Sequence, residues 1–205
     1  MWLCPLPGPL YTVLMGYKEA PVDEARARFS VIVRSLCADY LHAHAACIGA
    51  AAGGPPQLVA PVPSSHRPDG PPLARVDGLA SRVESALPGG RWSPQLLVRT
   101  GEPVGHMHPS AGAFAVPPTL HPGLVGRRVV LLDDTYVSGS RAQSAAASLR
   151  RAGAAAVVIV VLGRVLRPDR VPAHADFLRT LRPATALDDV ARRCGRCLQT
   201  TAPTE

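Results

Sequence analysis

The chain has 205 residues, 47% of them hydrophobic and 18% charged, which fits one globular domain with a full core and excludes a wholly disordered chain. The formal net charge is +7, and 13 arginines against 7 acids lie from Arg127 onward, a surplus suited to a phosphorylated small molecule or to nucleic acid; with aromatics at only 4%, stacking platforms for single strands are few and nucleic acid is the weaker reading. A start broken by Pro5, Pro7 and Pro9 without a basic leader, a longest apolar run (154–163) too short to span a bilayer, and an odd five cysteines together predict a cytoplasmic protein with no membrane partner.

In chain order, residues 22–48 read as one amphipathic helix, with Val22, Ala25, Phe29, Ile32, Val33, Leu36, Tyr40 and Leu41 at helical spacing. Gly49, Gly53, Gly54, Pro55 and Pro56 end it. Residues 57–62 read as a short strand, 73–87 as a second helix and 95–99 as another strand. Residues 100–126 form a long irregular stretch rich in Gly, Pro and His. Residues 128–132 are an apolar strand behind a basic start, and Arg127-Arg128 reads as a solvated lead into it. Residues 140–152 are a helix with a face of small residues: Ala142, Ala145, Ala146, Leu149 and Ala152. Residues 155–162 are a second buried strand, rich in valine. Strand, helix and strand within about 35 residues make a βαβ unit, and two such apolar strands imply a parallel sheet covered on both faces. The predicted class is α/β, with a central, mostly parallel sheet flanked by helices. It forms one domain over 1–205: an N-terminal helical hood (1–56), a core (57–167) and a C-terminal tail (168–205).

The chemistry concentrates where the first strand of that unit ends. Asp133-Asp134 is followed by Thr135-Tyr136-Val137-Ser138-Gly139-Ser140 and then the helix. Ligands of open parallel sheets bind beyond the carboxyl ends of strands. Two adjacent carboxylates there are costly unless something uses them. The turn ends at a helix N-terminus, whose free N–H groups and dipole favour a phosphate. Gly139 permits close backbone approach, and Thr135, Ser138 and Ser140 supply hydroxyls. One end of the turn suits vicinal hydroxyls or a hydrated cation; the other suits a phosphate monoester. A ribose 5-phosphate carries both groups.

Residues 129–141, VVLLDDTYVSGSR, resemble the phosphoribosyl pyrophosphate (PRPP) signature of type I phosphoribosyltransferases: four apolar residues, two acids, two variable apolar residues and a Thr/Ser-rich glycine turn. The resemblance extends over roughly 57–167 to competence protein F (ComF)-like members. Residues 59–67, VAPVPSSHR, resemble their strand and pyrophosphate loop. Gly112-Ala113-Phe114 resembles a short motif ahead of the PRPP strand, and 157–164 the strand after it. The resemblance implies the type I phosphoribosyltransferase fold and transfer of a phosphoribosyl group between PRPP and a nitrogen base or amine, with Mg²⁺, in nucleotide metabolism. Asp133 and Asp134 would hold the ribose 2′- and 3′-hydroxyls. Thr135, Tyr136, Val137, Ser138, Gly139, Ser140 and Arg141 would line the 5′-phosphate loop. Ser64, Ser65 and Arg67 would bind pyrophosphate, making Arg67 catalytic beside the two acids. The chain departs from the family pattern at Thr135 and Tyr136, usually aliphatic, and at Arg141, usually Thr or Ser. The N-terminal zinc ribbon of ComF-like proteins is missing, since only Cys4 lies near the start. The alternatives are a non-catalytic PRPP sensor or a ComF-like DNA-uptake factor, and, more weakly, a nucleic-acid-binding module. The acceptor is not legible, and a homodimer is left open.

Outside the signature, Cys194-Gly195-Arg196-Cys197 is a CxxC, and His44 and Cys47 share a helix face. Together His44, Cys47, Cys194 and Cys197 would make a Cys3His structural zinc site; the competing readings are a core His and Cys with a surface CxxC and, third, a CxxC oxidised to a disulfide. His106 and His108 lie in the long loop within conceivable reach of a substrate, and Arg99 ends the 95–99 strand.

Overall fold

The computed structural model describes residues 2–5, 8–64, 70–105, 108–169 and 172–181. Its centre is a five-stranded sheet in which every pairing is parallel, in the order β1 (Trp2–Pro5), β7 (Ala156–Leu166), β6 (Arg128–Tyr136), β2 (Leu58–Pro61), β3 (Arg91–Trp92). A separate two-stranded antiparallel ribbon joins β4 (Val98–Arg99) to β5 (Phe114–Ala115). Six α-helices accompany these strands among the described residues: α1 (Pro9–Glu19), α2 (Asp23–Ala52), α3 (Leu79–Ala86), α4 (His121–Leu124), α5 (Ser140–Arg151) and α6 (Pro172–Leu181).

The predicted βαβ unit is β6, α5 and β7. β6 is buried from Val129 to Asp134, whereas β7 is half-buried over 156–159 and buried from Val160 to Gly163; the pairing runs from Arg128↔Ala156 to Tyr136↔Arg164. Strand alternation divides the side chains between two cores. Val130, Leu132, Val160 and Leu162 pack with α1, α2 and α3 on one face. Val129 and Leu131 pack with Ala142, Ala145 and Leu149 of α5 on the other, joined by Phe114 and Leu124. The small-residue face of α5 therefore lets the helix lie close on the sheet.

Several boundaries differ from the sequence expectation. The buried stripe of α2 is Val33, Cys37, Tyr40, Leu41, His44, Ile48 and Ala52, while Val22 is 58% and Ile32 42% exposed. Val33, Tyr40 and Leu41 belong to both the expected and the buried stripe; Val22 lies outside the helix as its N-cap, and the buried face is rotated from the expected one toward Cys37, His44 and Ile48. Residues 73–87 split into a 3-10 turn (Pro72–Arg75) and α3. Residues 95–99 give only β4, which pairs outside the main sheet, and the edge strand is β3 instead. The hood is α1 packed on α2. Gly16, in the middle of α1, lies against the Phe29 ring, where an added Cβ would collide. That contact brings the two helix backbones together at the end of the sheet that carries the site. Arg128 is half-buried, and its Nε donates to the Pro55 carbonyl at 2.7 Å, so this guanidinium serves inside the fold.

Among the described residues no helix is long and apolar enough to cross a membrane.

Candidate functional site

β6 continues four residues past Leu132, and its alternation separates the acid pair. Asp133 follows Val129 and Leu131 to the α5 face; Asp134 follows Val130 and Leu132 to the α1 face. Both are buried, at 5% and 4% exposure. Buried carboxylates need partners, and each has a cation. Lys18 Nζ donates to Asp134 Oδ1 at 2.7 Å, and the Tyr17 hydroxyl donates to Asp134 Oδ2. Arg141 Nη2 donates to Asp133 Oδ1 at 3.1 Å, and the backbone N–H of Asp134 donates to the same oxygen at 3.1 Å. Because both of these bonds fall on Oδ1, Asp133 Oδ2 is the acceptor left for a ligand hydroxyl or a hydrated cation.

The electrostatics follow from burial. Desolvation lifts the Asp133 carboxyl from 3.8 to about 6, against the opposing pull of Arg141 and with a further push from Asp134. Burial and the Asp134 carboxylate push the Tyr17 phenol well above its ordinary value, so it donates as a neutral hydroxyl. The Arg141 guanidinium is raised by Asp133 and stays charged.

Beyond the acids, the chain turns sharply into α5. Gly139 is the N-cap, with φ +81°, and the Tyr136 phenol occupies the space where any side chain at 139 would begin. Glycine is thus required twice over, by its backbone angle and by the tyrosine. Ser138 and Ser140 Oγ lie 3.2 Å apart, and the Ser140 N–H points to Ser138 Oγ at 3.4 Å. From the far side, Ser144 and Ser148 of α5 tether the long loop. Ser144 Oγ accepts the Ser110 N–H at 2.8 Å, and Ser148 donates to the Ala111 carbonyl at 2.9 Å.

These elements line an open cavity of about 370 Å³ beyond the carboxyl ends of β6 and β7. Asp133, Thr135, and Val137 to Arg141 line it from the strand end and the turn; Ser64 lines it from the end of β2. Tyr11, Met15, Lys18 and Glu19 come from one face of α1, Val104 and Gly105 from the long loop, and Val165 and Arg167 from β7 and the residue beyond it. Asp134 and Tyr136 stand outside the lining, the first under Lys18 and Tyr17, the second behind Gly139. Ser65, Arg67 and His106 lie outside the described residues. His108 is exposed, and Arg99 lies over the Phe114 ring at 5.2 Å, away from the cavity wall.

No family model matches the chain, and no curated protein matches it. The chemistry of the cavity therefore has to be read from its own groups. Three polar atoms around it, Thr135 Oγ1, Arg141 Nε and Arg167 Nε, are buried without a hydrogen-bond partner. An orphaned buried donor costs about 1–3 kcal/mol, so three at one cavity point to a polar ligand. The arrangement offers a carboxylate acceptor at the end of β6, a hydroxyl-lined helix N-terminus at the start of α5, the Arg141 guanidinium beside them and the Arg167 guanidinium beyond β7.

Sequence reasoning assigned residues 1–56 to a helical hood, but it did not delimit α1, it missed that Tyr17 and Lys18 hold Asp134, and it missed Arg167. The available signals were the single lysine of the chain and the i, i+4, i+7 spacing of Tyr11, Met15 and Lys18. Of the four expected zinc ligands, Cys194 and Cys197 lie outside the described residues. His44 is buried with its ring 4.4 Å from that of Tyr40, and Cys47 is half-buried on the same helix. Among the described residues, no three His, Cys, Asp or Glu side chains gather as a metal site.

Proposed function

We propose that this chain adopts the type I phosphoribosyltransferase fold and transfers a phosphoribosyl group between PRPP and a nitrogen nucleophile. The observation that carries the reading is that one cavity is lined together by Asp133 at a strand end, by the Ser138–Gly139–Ser140 turn at the start of α5, and by Ser64 just beyond β2. Asp133 Oδ2 accepts from the ribose hydroxyls. The N-terminal N–H groups of α5 and the two serine hydroxyls bind the 5′-phosphate, and Arg141 stands where a guanidinium can reach its oxygens. The C1–O bond to pyrophosphate breaks as the C1–N bond forms, and the nucleophile gives up its proton. Charge develops at C1 and on the leaving oxygens, so the protein acts mainly by positioning and by electrostatic stabilisation. Ser64, with Ser65 and Arg67 beyond the described residues, receives pyrophosphate. Mg²⁺ prefers one or two carboxylates plus substrate phosphates, a set that Asp133 and PRPP provide, and it would neutralise pyrophosphate charge.

A second reading is favoured by one specific feature. Both acids are already paired with cations, and Asp134 is covered by α1. A PRPP-binding sensor needs ribose and phosphate recognition only and tolerates such a closed arrangement better than an enzyme does. One experiment addresses both readings. Calorimetry with Mg²⁺ and PRPP is expected to show binding, and a screen of bases and amines is expected to show pyrophosphate release. Arg67→Ala is expected to lower that release about a hundredfold while sparing binding of a plain ribose 5-phosphate nucleotide. Tight PRPP binding without turnover selects the sensor; absence of PRPP binding removes both readings.

A further inference from the structure

The sheet order sets three strand ends side by side: β7, β6, β2. Arg167 follows the first, Asp133 belongs to the second and Ser64 lies beyond the third, and all three line one cavity. Asp133 therefore divides the cavity into two flanks. The flank at β7 has a distinct character. Val165 and Arg167, two residues apart, share one side of the extended chain, and α1 adds Tyr11 and Met15. This is an apolar wall with one guanidinium set in it. The other two cations of the lining, Lys18 and Arg141, are paired with Asp134 and Asp133. Arg167 Nε is buried and has no hydrogen-bond partner.

Displacement at C1 brings the entering and leaving groups to opposite faces of the ribose. If pyrophosphate departs on the β2 flank, by Ser64, the nucleophile stands on the β7 flank, by Arg167. We propose that Arg167 selects the acceptor, and that the acceptor is a flat nitrogen compound bearing a carboxylate. The inference rests on the phosphoribosyl-transfer reading above. The planar guanidinium fork matches a carboxylate in pairs of hydrogen bonds. Tyr11, Met15 and Val165 accept the faces of a ring.

The test uses the full chain and three probe pairs that differ at one substituent: orotate and uracil, nicotinate and nicotinamide, anthranilate and aniline. Calorimetry in saturating ribose 5-phosphate, which cannot react, reads the affinity of each. At least one carboxylate is expected to bind about tenfold or more tighter than its neutral partner, the scale of one charge-assisted hydrogen bond. Arg167→Ala is expected to bring that pair within about twofold, Arg167→Lys to restore part of the gap, and Mg²⁺–PRPP affinity to stay unchanged in both, since neither the diol nor the phosphate subsite is touched. A wild-type protein that discriminates within no pair, or an Arg167→Ala protein with a wild-type melting temperature that still discriminates, overturns the proposal. A carboxylate preference that depends on Arg167 in a protein that fails to bind PRPP would uphold the anion subsite while removing the phosphoribosyl reading.

Discussion

Replacing Asp133 with asparagine is expected to change how stability depends on pH. In the folded protein the Asp133 carboxyl titrates at about 6, raised from 3.8 chiefly by burial. An acid whose folded value is raised holds its proton more tightly in the native state. Its contribution to stability is therefore complete below pH 4 and is lost as pH rises through 6. A shift of about two pH units corresponds to about 3 kcal/mol, so wild type loses up to that amount, relative to Asp133→Asn, between pH 4 and pH 7. Arg141 is 30% exposed, so water can replace part of the lost ion pair, and the asparagine carbonyl can still accept from Nη2. Urea unfolding at five pH values from 4 to 8, followed by circular dichroism, gives the difference curve directly. Identical slopes for the two proteins between pH 4 and 6 would refute the burial argument. The same titration governs the ligand: PRPP affinity in wild type is expected to fall as pH drops below 6, where the carboxyl gains a proton and loses acceptor capacity. In Asp133→Asn, binding is expected to be weak by tenfold or more, or about 1.4 kcal/mol, at every pH.

Asp134→Ala is expected to destabilise the fold by about 3 kcal/mol, because it removes the buried carboxylate to which both Lys18 and the Tyr17 hydroxyl donate; equilibrium denaturation reads the loss, and a change under about 1 kcal/mol would count against a structural role for the pair. Gly139→Ala is expected to weaken phosphate binding and cost about 1–2 kcal/mol of stability, since alanine at φ +81° is strained and its Cβ meets Tyr136; the double variant with Tyr136→Ala is expected to relieve the collision but retain the backbone cost. Metal analysis of reduced, chelator-free protein is expected to return about one zinc if His44, Cys47, Cys194 and Cys197 act as one site; absence of zinc would leave Cys194 and Cys197 without that role.

What the sequence alone determined is the unit β6–α5–β7 and the turn between its acids and its helix. Runs of valine and leucine bounded by glycine, and small residues at helical spacing, are local signals, and they survive because burial on both faces tolerates little else. Gly139 was legible as the point where the backbone must come close to a ligand; its positive φ and the Tyr136 phenol against it came from the structure. Non-local pairing decided the rest. β6 passes Leu132 and runs through Tyr136 because β7 continues beside it, with Thr135↔Gly163 and Tyr136↔Arg164. β1, four residues ending in a proline, exists as a strand because Trp2–Pro5 aligns with Gly163–Leu166, more than 150 residues away. The pattern in 95–99 could not tell whether its partner was the main sheet or Phe114–Ala115. The acid pair shows the division most sharply. The sequence placed two neighbouring carboxylates at a strand end, but adjacent residues of a strand face opposite sides. Only the packing of α1 on one side and α5 on the other sent Asp134 to Tyr17 and Lys18 and left Asp133 facing Arg141 and the cavity.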